Sequence, residues 1–200
     1  MIVAFCAMND RLRAFRLCGS CDGKRSSSVR AVYLTGEHLA VRALVAADAA
    51  CAVAWFDSPF PVNAVRAEAW LKEAHASVDR PATLHYAIVR NADETVIGGV
   101  TLQTDYRIGT LKLRIAPSLP EADALRAGAL RILHPWLRDD LELMSFVIHI
   151  PADQPETIAA AGALGMAPGV RLREAIARPD HRVDELIYQA LLTPWAVHDA

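Results

Sequence analysis

No apolar run in this 200-residue chain approaches the ~20 residues that a membrane-spanning helix needs, which excludes a helical membrane protein on first reading. Charge of one sign is also missing. The chain has 21 basic against 23 acidic residues, so nothing draws it to nucleic acid or to an anionic membrane as its main partner. Cysteine is sparse. Cys18 and Cys21 make the single C-x-x-C, while Cys6 and Cys51 stand alone. A structural zinc site needs a second pair or a closely spaced His pair, and neither is present, so no metal is expected and the thiols read as reduced. The apolar opening MIVAFCAM has no basic residues before it and no small-residue cleavage site after it, unlike a secretory signal. A cytoplasmic location is the resulting expectation. What the chain does have is a 53% hydrophobic composition with only 22% charged residues, enough for a sizeable core.

Two regions differ in texture. Residues 1–30 carry Arg11, Arg13, Arg16, Lys24, Arg25 and Arg30 and a Gly/Ser-rich stretch, so a loosely packed basic tail is expected. Phe15 alone falls among those charges, short of the aromatic interleaving of a nucleic-acid arm. Residues 31–200 read as one folded domain. Val32–Leu34 and Leu39–Leu44 are expected strands with Gly36 turning between them. Ala46–Phe56 and a segment from Asn63 to about Val78 are expected helices, the second capped by Asn63 and buried through Val65, Ala69 and Trp70. Alternation at Leu84, Tyr86 and Ile88 and a returning strand Thr95–Thr104 make a hairpin. Gly98-Gly99 within it suggests a bulge or a close backbone approach.

The stretch from Thr110 to Leu137 organises the rest. Leu111, Leu113 and Ile115 alternate with Lys112 and Arg114 as a strand with one buried face. After Pro117 and Pro120, Leu125, Ala129, Ile132, Leu133 and Trp136 repeat as one face of a helix. A strand feeding a helix through a short turn can hold a phosphate, because the first helical N–H groups lack intrahelical partners. Ser118-Leu-Pro-Glu121 also reads as a capping box, which would satisfy those donors internally. Beyond it, Leu143–Ile150 reads as a strand covered on both faces. Asp153–Leu164 is a helix closed by Gly165 and capped by Asp153. Val170–Ile176 and Val183–Leu192 are two more strands. The order implies an α/β fold with a meander followed by a strand–helix–strand crossover.

That order, together with several residues, resembles the GNAT acetyltransferase superfamily, and within it the ribosomal-protein-alanine-type branch. The residues are the entry HLAVRALVAADA, Val96-Ile-Gly98, Ala163-Leu-Gly-Met166, Gly169 with Arg173-Glu174, and Asp184 with Tyr188. The resemblance spans about Tyr33 to Trp195. It implies a mixed, splayed, mostly antiparallel sheet flanked by helices, with acetyl-CoA in the splay between the Leu111–Ile115 strand and Leu143–Ile150. It further implies acetyl transfer to a primary amine, either a protein N-terminus or a small amine. An open-edged sheet ending near Trp195 is compatible with a homodimer.

By the same resemblance, main-chain groups near Leu113 and Ile115 would contact the thioester, and Leu125, Arg126 and Ala127 would sit at the pyrophosphate. Gln154 would meet the pantetheine and Thr157 the leaving thiol. Glu174 would be the base, with Asp105 and Tyr106 as other candidates. His75, His85 and His149 have no partner at metal spacing and read as structural. One departure stands out. The family's turn runs Arg/Gln-x-x-Gly-x-Gly/Ala, whereas Glu121-Ala-Asp-Ala-Leu-Arg126 lacks both glycines and begins with an acid. Like charges at ~4–6 Å cost about a kcal/mol even when solvated, so Glu121 and Asp123 oppose a pyrophosphate there. Arg126 could compensate as a side-chain ligand. The alternative is a GNAT-fold binding module that no longer binds CoA.

Overall fold

The computed structural model describes residues 32–51, 63–76, 82–116 and 118–192. The basic tail, the Cys18–Cys21 pair, residues 52–56 of the first expected helix and Trp195 lie outside them. The described residues form eight strands and three α-helices. In chain order these are β1 (Val32–Thr35), β2 (Leu39–Ala43), α1 (Ala64–Ala76), β3 (Ala82–Arg90), β4 (Val96–Asp105) and β5 (Ile108–Ile115). There follow α2 (Ala122–Asp139), β6 (Ser145–Pro151), α3 (Pro155–Ala163), β7 (Ala167–Ala177) and β8 (Arg182–Leu191). They make one sheet in the order β1-β2-β3-β4-β5-β6-β8-β7. Only β5 and β6 run parallel, as a crossover through α2 requires.

The sheet's two faces are covered unequally. One face carries Val100, Leu102, Leu111, Leu113, Phe146, Ile148 and Ile150, all buried against Leu125, Ala129, Leu130, Leu133 and Leu137 of α2 and Ala161 of α3. At about 25 cal/mol per Å² of apolar surface, this cluster is the main source of stability. The other face is covered over β3 by α1, through Ala67 and Leu71 against Leu44, Ala87 and Val89. Of the expected face of α1, Trp70 packs against this cluster while Val65 and Ala69 are exposed. Val65 is 77% exposed, because the Asn63 cap starts the helix with that residue turned outward. Periodicity gave the helix, but alanines on two sides left its rotation open.

Three other expectations change. Ala46–Cys51 is a short 3-10 segment. Its Asp48 side chain turns inward to a two-pronged contact with Arg42 (both 2.7 Å) and accepts from the Val45 N–H. β6 is buried on one face only: Phe146, Ile148 and Ile150 are inside, while Ser145, Val147 and His149 are half-buried. The capping box does not form. Ser118 is exposed, and the chain instead turns through Leu119 N–H to Ala116 (3.1 Å) and Ala122 N–H to Leu119 (3.2 Å).

Two glycine expectations hold. A Cβ at Gly98 would run into the Arg114 carbonyl oxygen, and the β3–β4 register shifts beside it. Gly165, at φ +76°, ends α3 with paired bonds from its own N–H to Gly162 and from Met166 N–H to Ala161 (both 3.0 Å).

Candidate active site at the split between β5 and β6

β5 and β6 are paired only from Ile108↔Ser145 to Leu111↔Ile148. Each then stays with its outer neighbour while parting from the other. β4–β5 pairing continues to Gly98↔Ile115, and β6–β8 pairing to Pro151↔Glu185. The sheet is thus split beyond Leu111, and the β6-facing main-chain edge of residues 112–115 has no strand partner. The Leu113 and Ile115 side chains are buried toward α2, so only their main chain is offered to the split.

Helices α2 and α3 both begin just past the open end. At α2, Glu121 precedes the helix without making a side-chain cap, and Leu125 N–H already donates to the Glu121 carbonyl (3.0 Å). Ala127 is fully buried in the helix. Among the described residues, the N–H groups of Asp123 and Ala124 have no acceptor. Above this turn lies a groove of about 860 Å³. Its walls are the 36–39 turn, the 90–92 turn and the Glu121, Ala124, Gly128 and Arg131 positions of α2.

At α3 the first donors are taken from outside the helix. The Asp123 carboxylate of α2 accepts from Glu156 N–H (2.8 Å), Thr157 N–H (3.1 Å) and the Thr157 hydroxyl (2.6 Å). Asp153, the expected cap, instead pairs with Arg178 (2.7 Å). That contact holds the Asp153 carboxyl below its ordinary range and raises Arg178. Thr157 is fully buried and its hydroxyl hydrogen goes to Asp123. Gln154 is 9% exposed, and its Oε1 is a buried acceptor without a partner among the described residues. Arg126 is half-buried, and no carboxylate of the described residues reaches ion-pair distance. Burial lowers its pKa; Asp123 opposes the shift, Arg178 adds to it and Asp153 opposes it.

Other proposed residues are dispersed. Glu174 lies on β7, the edge strand, separated from the split by β8. It occupies a bulge at φ +50°, where its N–H donates to Asp184 Oδ1 (2.8 Å) and its carbonyl accepts from Arg182 (2.6 Å). Asp184 is thereby held below the ordinary carboxylate range, by that N–H and by Arg171. Asp105 and Tyr106 lie at the closed end of the split, since Asp105 pairs with Ile108. On the face away from α2, the split is flanked by Lys112 on β5 and His149 on β6, each the first residue past the paired rows. His149 Nδ1 is 3.2 Å from Glu185 Oε1 of β8. Further along, His85 contacts Thr101 (3.2 Å) and stacks edge-on with Trp70 of α1 at 4.5 Å. The sequence reads His149 as structural, for want of a metal-spaced partner. Its outward place in the apolar run was a usable signal, but its Glu185 neighbour was not.

A mostly antiparallel sheet, split between two parallel strands under convergent helix starts, defines the GNAT acyltransferase fold. Comparison with solved structures agrees. A Sphaerobacter thermophilus protein assigned as an acetyltransferase is 48% identical, with a TM-score of 0.66 over 82% of this chain and 98% of that one. A spermidine N-acetyltransferase from Vibrio cholerae shares the fold at 20% identity, with a TM-score of 0.57 over 82% and 99%. A V. cholerae protein assigned as a ribosomal-protein-serine acetyltransferase shares it at 14% identity, with a TM-score of 0.57 over 80% and 97%. No family model and no curated protein sequence matches the chain. The chain belongs to the GNAT acetyltransferase family.

Proposed function

We propose that this protein moves an acetyl group from acetyl-CoA to a primary amine, on a small molecule or a protein N-terminus. The observation that carries the reading is Gln154 Oε1, buried at the start of α3 and without a partner among the described residues. A buried acceptor without a donor costs about 1–3 kcal/mol, and an amide N–H of a pantetheine arm would satisfy it. The unpaired edge of β5 beyond Leu111 offers further main-chain partners to the same arm. Arg126 supplies a cation for a phosphate, in place of the glycine-rich turn. Bound acetyl-CoA supplies an acyl carbon activated as a thioester. The protein's part is to hold it in the split, to place a strand N–H near its carbonyl and to receive protons.

The acceptor reading draws on the fold shared with amine and protein-serine acetyltransferases. A second reading, a GNAT-fold binding module without CoA, is favoured by one specific observation. The turn before α2 is already helical from Ala122 and keeps only the Asp123 and Ala124 donors. Thermal unfolding separates the two. Acetyl-CoA at a hundred times its dissociation constant adds about 2.7 kcal/mol to the folded state and raises the midpoint. An unchanged midpoint at millimolar acetyl-CoA would leave only the binding module.

A further inference from the structure

We infer that His149 is the general base of the acyl transfer and that Glu185 positions it, an assignment that rests on the acetyl-CoA reading above. The argument starts from topology. Leu111↔Ile148 is the last paired row between β5 and β6, so His149 is the first β6 residue past the fork. Strand alternation turns it away from the α2 face, where Ile148 and Ile150 are buried. It therefore lies beside the split on the face opposite α2, the helix that would seat the phosphates.

The second step is chemical. Glu185 lies on β8 opposite Pro151, one diagonal step from His149, and its Oε1 is 3.2 Å from Nδ1. Both side chains are only partly exposed, at 32% and 24%. The two groups are within ion-pair reach of one another across the strands, without a hydrogen bond between them. Nε2 has no partner among the described residues. A base needs a ring nitrogen left open and a nearby carboxylate to stabilise the imidazolium it becomes, and His149 has both. Glu174, by contrast, sits two strands away on the sheet edge.

The step balances as follows. The acceptor ammonium gives one proton to His149 Nε2. The amine nitrogen then bonds to the acetyl carbon as the carbon–sulfur bond breaks. The amide nitrogen gives up a second proton, and the departing sulfur takes a proton to become the thiol. The imidazolium returns its proton to solvent.

Bromoacetyl-CoA tests the assignment without knowledge of the acceptor. A base beside the acyl carbon should be alkylated there, with a nitrogen–carbon bond formed and bromide lost. Peptide mass spectrometry should place the label on His149, with CoA protecting and His149→Gln abolishing it. A second readout concerns Glu185. Glu185→Gln should slow the labelling of His149 at least tenfold while leaving the dissociation constant of CoA in place, and Glu185→Asp should restore part of the rate. A Glu185 with only a structural role would leave the labelling rate unchanged in both variants. Saturable binding of bromoacetyl-CoA with the label elsewhere, or none, overturns the His149 assignment alone. Failure of both CoA and bromoacetyl-CoA to bind overturns the acetyl-CoA reading and this inference with it.

Discussion

The starts of α2 and α3 lie side by side at the open end of the split, yet they are finished in opposite ways. α3 has its first donors filled by a carboxylate from another helix, Asp123. α2 has no side-chain cap and keeps two N–H groups without acceptors among the described residues. A helix start attracts anions through its unpaired N–H groups. At α3 the protein provides that anion itself; at α2 it does not. What remains for a ligand is therefore an incomplete donor set at α2, with Arg126 and the Gln154 acceptor both unpaired among the described residues. The departure at positions 121–126 thus changes how a phosphate could be held and leaves the split itself intact.

The sharpest way to break this contrast is to remove the two acids in turn. Asp123→Ala leaves two α3 donors without their acceptor and the buried Thr157 hydroxyl with only the Asp123 carbonyl at 3.3 Å. Urea unfolding should show a loss of about 2 kcal/mol or more. Glu121→Ala removes no cap, only an ion pair to Arg90 at 3.5 Å, and should stay within about 0.5 kcal/mol. Equal losses would mean that the two helix starts do not differ as described. Next in size is a ligand effect: Arg126→Glu should weaken acetyl-CoA at least tenfold, about 1.4 kcal/mol, in a direct binding measurement. An unchanged dissociation constant would remove Arg126 from the phosphate seat.

A further small effect, one that depends on pH, concerns Asp153, displaced from the α3 cap to Arg178. Its carboxyl is depressed in the folded state, chiefly by the Arg178 hydrogen bond. A depressed acid stabilises above its unfolded pKa, about 3.9, and that contribution is lost as pH falls through the lower folded value. Asp153→Asn should therefore cost less than about 1 kcal/mol at neutral pH, after discounting for solvent screening, and nothing at the acid end. A pH-independent loss would point instead to a backbone role for Asp153.

Much of the frame was legible because it rests on local pattern. Alternation at Leu111, Leu113 and Ile115 fixed β5, Asn63 marked the start of α1, and Gly165 marked the end of α3. The resemblance residues added the split. What escaped were contacts between segments distant in sequence. Asp123 and Thr157 are 34 residues apart, and nothing near either announces the other. Ser118 to Glu121 satisfied a capping rule, but a tight turn from Ala116 to Leu119 took its place. Glu174 matched by alignment with the family's strand, while the sheet order set it at the edge. His149 looked like one more strand residue until the pairing of β5 and β6 ended beside it.

The most direct test of the central claim is a calorimetric titration of acetyl-CoA into the wild-type protein, with Gln154→Leu alongside. The account predicts a saturable single-site isotherm for the wild type, weakened in the variant. No heat with millimolar ligand, from protein that is folded by circular dichroism, would contradict it.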